Sequence, residues 1–374
     1  MIQADVCVIG GGPAGSAAAL TLARYTKHQV LLLEASRYET PRVGETVSAG
    51  IVPLLAYLGA DAILSDQTTL PAFGTAAAWG THQLIERDFI FTGRGQGLHL
   101  DRRRFDQALA GCLPSVHTAS QVREVTRQDN AWAVSVEGPD GAWQASARII
   151  VDATGRQARI ARRLGAQRVV TDRLVGLVCY LEVPELERTT LVETEPQGWW
   201  YTAPLPHAQA VAALMTDADL LRGLSIDTVA GFMKRLAATT HVAARLAGAR
   251  PLTEPRASPA ESHVLTPPCG AGWVAAGDAA CAFDPLASLG IGYALTSGVQ
   301  AARIADAWLR GDNSLAAAYP DDIARHAAVN SAQSHDIYAA ERRWPDSVFW
   351  QRRHGLPKDH EARRTGTPFD PVIR

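Results

Sequence analysis

Residues 5–34 constrain the fold more than any other part of the chain. They read D-V-C-V-I-G-G-G-P-A-G-S-A-A-A-L and run on to Q-V-L-L-L-E. Val6, Val8 and Ile9 mark a buried parallel strand. Gly10, Gly12 and Gly15 form G-x-G-x-x-G, an Ala/Leu-rich segment predicts a helix, and residues 29–33 predict a second strand ending at Glu34. In such a unit the first glycine allows a tight turn and the second lets a pyrophosphate approach the backbone. The third lets helix and strand pack closely. The helix N-terminus offers unpaired N–H groups and the positive end of its dipole. Glu34, 24 positions after Gly10, stands where an acid grips ribose hydroxyls. These features predict dinucleotide binding. The alternative is a glycine-rich turn in another α/β protein.

The 374 residues suffice for two intertwined domains, and 47 % hydrophobic residues exclude a disordered chain. A net charge of −2 exerts no pull toward nucleic acid or an anionic membrane. Cys7, Cys112, Cys179, Cys269 and Cys281 are scattered, with neither C-x-x-C nor metal-ligand spacing. Free thiols in a reducing compartment and no metal are expected. The first strand is predicted from residue 4, which leaves no room for a signal peptide. No apolar run approaches the ~18 residues of a membrane span. The expectation is a cytoplasmic protein with no nucleic-acid or membrane partner.

Taken in order, Arg42-Val43-Gly44-Glu45 follows the ribose-binding strand. Arg42 is placed either to reach a phosphate or flavin edge or to stand as a solvated loop residue. Residues 51–58 predict a short helix, and residues 73–91 a strand pair with Trp79, Phe89, Ile90 and Phe91. A helix follows to about residue 113. Arg102, Arg103 and Arg104 at its start oppose its own dipole. A nearby anion would relieve them, as would solvation or pairing with Asp101 and Asp106. Residues 116–125, 131–136 and 142–147 alternate like antiparallel strands, with Asp140-Gly141 a hairpin turn. Residues 148–151 predict a further buried strand, ending at Asp152-Ala153-Thr154-Gly155.

Residues 166–266 change character. Strands at 175–183, 199–203 and 210–214 precede a helical stretch over 226–246. The chain then returns to a short strand over 271–276, Gly277-Asp278, a small-residue loop, and a helix to about residue 309. Asp278 is placed to accept from ribityl hydroxyls. The turn near Gly290 and Ile291 is placed to support negative charge on a flavin edge. The tail begins helical and becomes Arg-rich (Arg342, Arg343, Arg352, Arg353, Arg363, Arg364), with Trp344 and Trp350. It reads either as a solvated face or as a docking surface. The resulting expectation is an α/β chain with a Rossmann-like nucleotide domain over 1–70, 98–165 and 267–312. An antiparallel, substrate-side sheet comprises 71–97 and 166–266, and a helical, Arg-rich segment comprises 313–374.

Three segments in this order, Gly10–Gly15 with Glu34, Asp152–Gly155, and Gly277-Asp278 with Asp284-Pro285, resemble the FAD-dependent monooxygenases typified by p-hydroxybenzoate hydroxylase. That group also contains the flavin-dependent halogenases. The resemblance covers most of the chain and least the inserted sheet. It implies non-covalent FAD contacted by Gly10, Gly12, Pro13, Ala14, Gly15, Glu34, Ala35, Arg42, Arg102, Asp152, Gly155, Gly277, Asp278, Pro285, Ser288, Gly290 and Ile291. Trp199, Trp200 and Tyr201 are candidates for a wall between flavin and substrate, with ordinary sheet core as the alternative. Trp200, Tyr201 and Pro285 form the candidate catalytic set. The segment G-W-W-Y-T-A-P resembles the halogenase W-x-W-x-I-P motif imperfectly. Residues 71–80 lack the halogenase lysine, and Ala287 stands where halogenases carry glutamate, so halide chemistry is not expected.

A nearer resemblance is to the LodB/GoxB-type flavoproteins. It rests on Arg42-Val43-Gly44-Glu45, on G-W-W-Y-T-A-P-L-P, and on Glu341-Arg342-Arg343-Trp344-Pro345-Asp346 with Phe349-Trp350. It implies O₂-dependent hydroxylation of a tryptophan in a partner, the precursor of a quinone-cofactor amino-acid oxidase, during cysteine tryptophylquinone formation. No second G-x-G-x-x-G for a nicotinamide is present, and the electron donor is unknown. Other readings are a hydroxylase of a small aromatic molecule, a flavin reductase or dehydrogenase, and a non-catalytic FAD-holding scaffold. No histidine or carboxylate stands out as a general base. His207, His241 and His263 are read as structural or surface residues.

Overall fold

The computed structural model describes residues 1–89, 95–184, 186–224 and 226–355. Ile90, Phe91, Arg363 and Arg364, all singled out above, lie outside them.

The first strand, Ile2–Ile9, runs parallel between Val30–Leu33 and Gly141–Asp152, with Val8 opposite both Leu32 and Val151. Trp273–Ala275 adds a fourth parallel strand beside Gly141–Asp152. All four present apolar side chains to helices, as a doubly covered parallel sheet requires. Helix Pro13–Tyr25 covers one face and packs against Gly290–Leu309 through small residues. A Cβ at Gly298 would overlap the carbonyl oxygen of Ala14.

The segments read as two strands, 142–147 and 148–151, are one strand, Gly141–Asp152. Its first half pairs antiparallel with Ala131–Gly138 and has a partly exposed face. Its second half enters the parallel sheet and is buried on both faces. This change of environment makes one strand look like two.

The second large sheet has eight strands. Its centre is Leu174–Glu182, Gln209–Asp217, Gly198–Leu205 and Thr189–Glu195, all antiparallel. Gly74–Ala78 joins Thr189–Glu195 in parallel and pairs antiparallel with Ile85–Asp88. Thr189–Glu195 carries threonines and glutamates and escaped the sequence reading. The helical stretch of 226–246 is two short helices, Val229–Leu236 and His241–Arg245. The break is fixed by Glu193, whose carboxylate accepts from the N–H groups of Thr240, His241 and Val242 at 2.8–2.9 Å. These helices cover one face of the sheet through Trp200, Phe232, Leu236 and Val242.

On the opposite face the chain's tail closes the structure. Helix Ser314–Ala340 and the short helix Val348–His354 bring Ile337, Tyr338, Phe349 and Trp350 against Trp79, Trp199 and Met215. The tail arginines serve this packing. Arg353 is buried, pairs with Asp217 at 2.9 Å and lies over the ring of Phe349. Arg352 pairs with Asp217 and Asp219 at 2.7 Å. Arg343 pairs with Glu341 at 2.6 Å and stacks on Trp344. The docking-surface reading of Arg352 and Arg353 is therefore corrected: their charges are committed within the chain. Among the described residues no helix is long and apolar enough to cross a membrane.

Candidate functional site

One cavity of about 560 Å³ lies between the two large sheets. Its nucleotide side is built largely from backbone. Gly10 has φ +109°, and a Cβ there would overlap the carbonyl of Ala153. A Cβ at Gly15 would overlap the carbonyl of Gly10, so helix Pro13–Tyr25 lies as close to the strand end as the motif predicts. A Cβ at Gly12 would meet nothing within 4 Å, because it would project into the cavity. That open cradle, at a helix end begun by Pro13, fits the pyrophosphate of a dinucleotide.

Glu34 accepts from the N–H of Gly11 at 2.7 Å and from the N–H of Ser36 at 3.0 Å. Burial opposes its ionisation, but the Ser36 hydrogen bonds, the Arg42 charge and the Gly11 N–H together hold its carboxyl below the usual range. Arg42 bridges Glu34 at 3.0 Å and the fully buried Asp106 at 3.2 Å. Arg102 holds Asp106 from the other side at 3.0 and 3.1 Å. Two of the three arginines at this helix start, Arg102 and Arg104, are thus relieved by acids of the chain itself. Arg104 pairs with Asp101 at 3.3 Å, and the Asp101 side chain caps the helix by accepting from the N–H of Arg104. Arg42 and Arg102 nonetheless line the cavity.

The other side of the cavity is built from side chains. In strand Gly198–Leu205 alternate residues face opposite ways. Trp199 and Tyr201 line the cavity, and Trp200 points into the core beneath helix Val229–Leu236, edge-on to Phe232. Trp200 is therefore removed from the candidate catalytic set, since strand alternation puts it on the wrong face. The Tyr201 hydroxyl is 2.8 Å from Thr46 Oγ1, which is 3.0 Å from His99 Nδ1.

Two buried carboxylates that the sequence reading passed over also line the cavity. Glu45 accepts from the Tyr180 hydroxyl at 3.0 Å and the N–H of Gly44 at 2.9 Å. Burial pushes its carboxyl up, against the pull of Tyr180. Asp284 accepts from the N–H of Leu286 and the hydroxyl of Tyr338, both at 2.9 Å. Tyr338 in turn accepts from the Trp199 indole N–H at 3.1 Å. Burial pushes Asp284 up to about 6, although the Leu286 N–H, the Arg353 charge and Tyr338 all favour its ionised form. The available signal for Glu45 was its place in Arg42-Val43-Gly44-Glu45, and for Asp284 its place beside Pro285. Neither reveals burial.

Of the expected residues, Gly10, Gly12, Pro13, Ala14, Glu34, Ala35, Arg42, Arg102, Gly155, Asp278, Pro285, Ser288, Gly290, Ile291 and Tyr201 line the cavity. Arg156 reaches Asp278 at 3.4 Å. Gly15, Asp152, Gly277 and Trp200 do not line it. The Asp152 carboxylate is spent on the N–H groups of Thr154, Ile160 and Ala161. Gly277, at φ +61°, sits where a Cβ would come within 2.7 Å of Ala14. His263 is structural, 2.9 Å from the Asp278 carbonyl. Among the described residues no lysine lines the cavity, and no group of acids, histidines and cysteines has metal-binding geometry.

A family described as FAD dependent oxidoreductase matches residues 5–176. A protein of Marinomonas mediterranea named as an FAD-dependent oxidoreductase, LodB, is 32 % identical over 362 residues, covering 94 % of this chain and 97 % of its own length. The chain belongs to the FAD-dependent oxidoreductases. FAD is accordingly the dinucleotide, and the open cradle at Gly12 is the observation that fits it. Among solved structures, the flavin-dependent halogenase CmlS matches with TM-score 0.84 and 26 % identity, over 96 % of this chain and 69 % of CmlS. The peptidyl tryptophan dihydroxylase QhpG, essential for tryptophylquinone cofactor biogenesis, matches with TM-score 0.76 and 27 % identity, over 96 % of this chain and 80 % of QhpG.

Proposed function

We propose that this oxidoreductase is a flavin-dependent monooxygenase that hydroxylates a tryptophan of a partner protein, the precursor of a quinone-cofactor oxidase. The observation that carries the reading is its similarity along most of the chain to QhpG, alongside LodB. The absence of lysine from the cavity lining among the described residues weighs against the halogenase alternative.

In this reading Gly10, Gly12, Pro13 and Ala14 hold the pyrophosphate, and Glu34, backed by Arg42, holds the adenosine ribose. Asp278 and Gly155 reach the ribityl region. Pro285, Ser288, Gly290 and Ile291 lie beside the isoalloxazine. When bound, FAD passes two electrons from a donor to O₂ and supplies an electrophilic oxygen. Trp199 and Tyr201 form the wall that keeps water from the reacting ring. Ring hydroxylation exchanges a carbon-bound hydrogen for a hydroxyl, so a proton must leave the ring, and Asp284, which lines the cavity and whose carboxyl burial pushes up to about 6, is assigned as its acceptor. The domain division that goes with this reading is 1–70, 98–165 and 267–312 for FAD, with 71–97 and 166–266 facing the substrate.

The test is mass spectrometry of the precursor co-expressed with and without this chain. Oxygen gained on one tryptophan, only in the presence of the FAD-loaded protein, supports the reading. An unmodified precursor, together with fast hydroxylation of a free small aromatic, overturns it.

A further inference from the structure

Four indole rings stand in series between the cavity and the surface. Trp199 lines the cavity. Its ring centroid is 6.3 Å from that of Trp79, Trp79 is 5.6 Å from Trp350, and Trp350 is 6.0 Å from Trp344 with the ring planes 27° apart. Every step falls within the range of directly interacting aromatic pairs. Tyr338 lies alongside, 5.8 Å from Trp79 and 6.1 Å from Trp350. The first three tryptophans are buried and Trp344 is partly exposed.

Burial alone does not call for indole, because buried cores are also built from phenylalanine and leucine. What distinguishes indole is that it gives up one electron to an oxygen-derived oxidant, as phenylalanine does not. The hydrogen bonds of the two middle rings suit a relay. The N–H groups of Trp79 and Trp350 are given to the carbonyls of Ile337 and Glu195, both at 2.9 Å. Neither carbonyl is basic enough to trap the proton, so a hole on these rings moves on. At Trp344 water is available to take the proton. The Arg343 guanidinium 4.4 Å above the Trp344 ring is matched by Glu341.

We propose that Trp199, Trp79, Trp350 and Trp344 form an escape path for oxidising equivalents, used when O₂ is reduced in the cavity with no substrate docked. A one-electron oxidant of the reactive-oxygen class takes an electron from Trp199 and is itself reduced. Trp79 refills Trp199, Trp350 refills Trp79, and Trp344 refills Trp350. Trp344 then loses its indole proton to water. A thiol or ascorbate-class reductant returns one electron and one proton to it. The path protects the cavity wall from the chemistry it encloses.

The experiment cycles the FAD-loaded protein between dithionite reduction and O₂, without substrate and with catalase present, and maps oxidised tryptophans by peptide mass spectrometry. The expected wild-type result is modification at Trp344. Trp79→Phe should lower that modification by about tenfold, the effect of adding about 1.4 kcal/mol to the relay, and raise modification of Trp199. Should Trp79→Phe fail to load FAD, Trp344→Phe carries the test, and modification should move inward to Trp350. Equal Trp344 oxidation in wild type and Trp79→Phe overturns the proposal. So does a wild-type Trp344 signal that appears only when catalase is left out, which would mean attack by peroxide from solution.

Discussion

The two walls of the cavity are made of different materials. The nucleotide wall is backbone: a turn at Gly10, an open face at Gly12, a helix end, and one acid on the next strand. The facing wall is side chains gathered from distant segments. They include Trp199 and Tyr201 on one strand, Glu45 in a loop, Asp284 near a turn, and Tyr338 behind them on helix Ser314–Ala340. Backbone shape is dictated by a short local pattern and tolerates no change at a few points. A side-chain wall is specified only when the whole chain has folded, and its members fail one at a time.

The sharpest way to test this contrast is Gly12→Val. The added side chain enters open cavity, so the fold should persist while FAD binding is lost, as measured by flavin absorbance after gel filtration. Gly15→Val, which strikes the Gly10 carbonyl, should instead cost the fold as well. An unfolded Gly12→Val protein would break the distinction.

Next in size is Arg353→Ala. It removes the buried one of the two guanidiniums that pair the buried Asp217, leaving only Arg352, and should destabilise the protein by about 3 kcal/mol in denaturant unfolding. Asp284→Asn should lower product formation about a hundredfold, equivalent to about 2.7 kcal/mol, with FAD content unchanged. The wild-type rate should fall as pH drops through about 6, because the base is then protonated in the folded enzyme. The variant should lose that limb of the profile, and a retained limb would exclude Asp284 as the base. Smallest is Arg352→Ala. Arg352 and Asp219 are partly solvated and the buried Asp217 keeps Arg353, so it should cost at most about 1 kcal/mol and leave partner association unchanged.

The same contrast explains what the sequence discloses. Residues 5–34 announce strand, turn, helix and acid because each position answers to its near neighbours. The Gly141–Asp152 strand was legible only in halves, since its surroundings change midway from one exposed face to full burial. Trp199 and Trp200 are indistinguishable as letters. One faces the cavity and the other the core, and only the phase of the strand decides which. Arg352 and Arg353 looked free because their acids, Asp217 and Asp219, stand more than a hundred residues earlier. Glu45 and Asp284 gave no sign of the burial that raises their carboxyl groups.

The tail clamped by Arg353 also sets an order of events at the ribosome. Trp199 is backed by Tyr338, Phe349 and Trp350, and the strand carrying Asp217 is secured by helix Val348–His354. Synthesis delivers the N-terminal segments first. The dinucleotide cradle can therefore assemble while translation continues, whereas the facing wall waits until the last of these residues has left the exit tunnel. A nascent chain arrested before Ser347 should gain protease resistance around residues 5–34 long before it protects Trp199. In this protein the site is finished by a helix that is made well after the strands it completes.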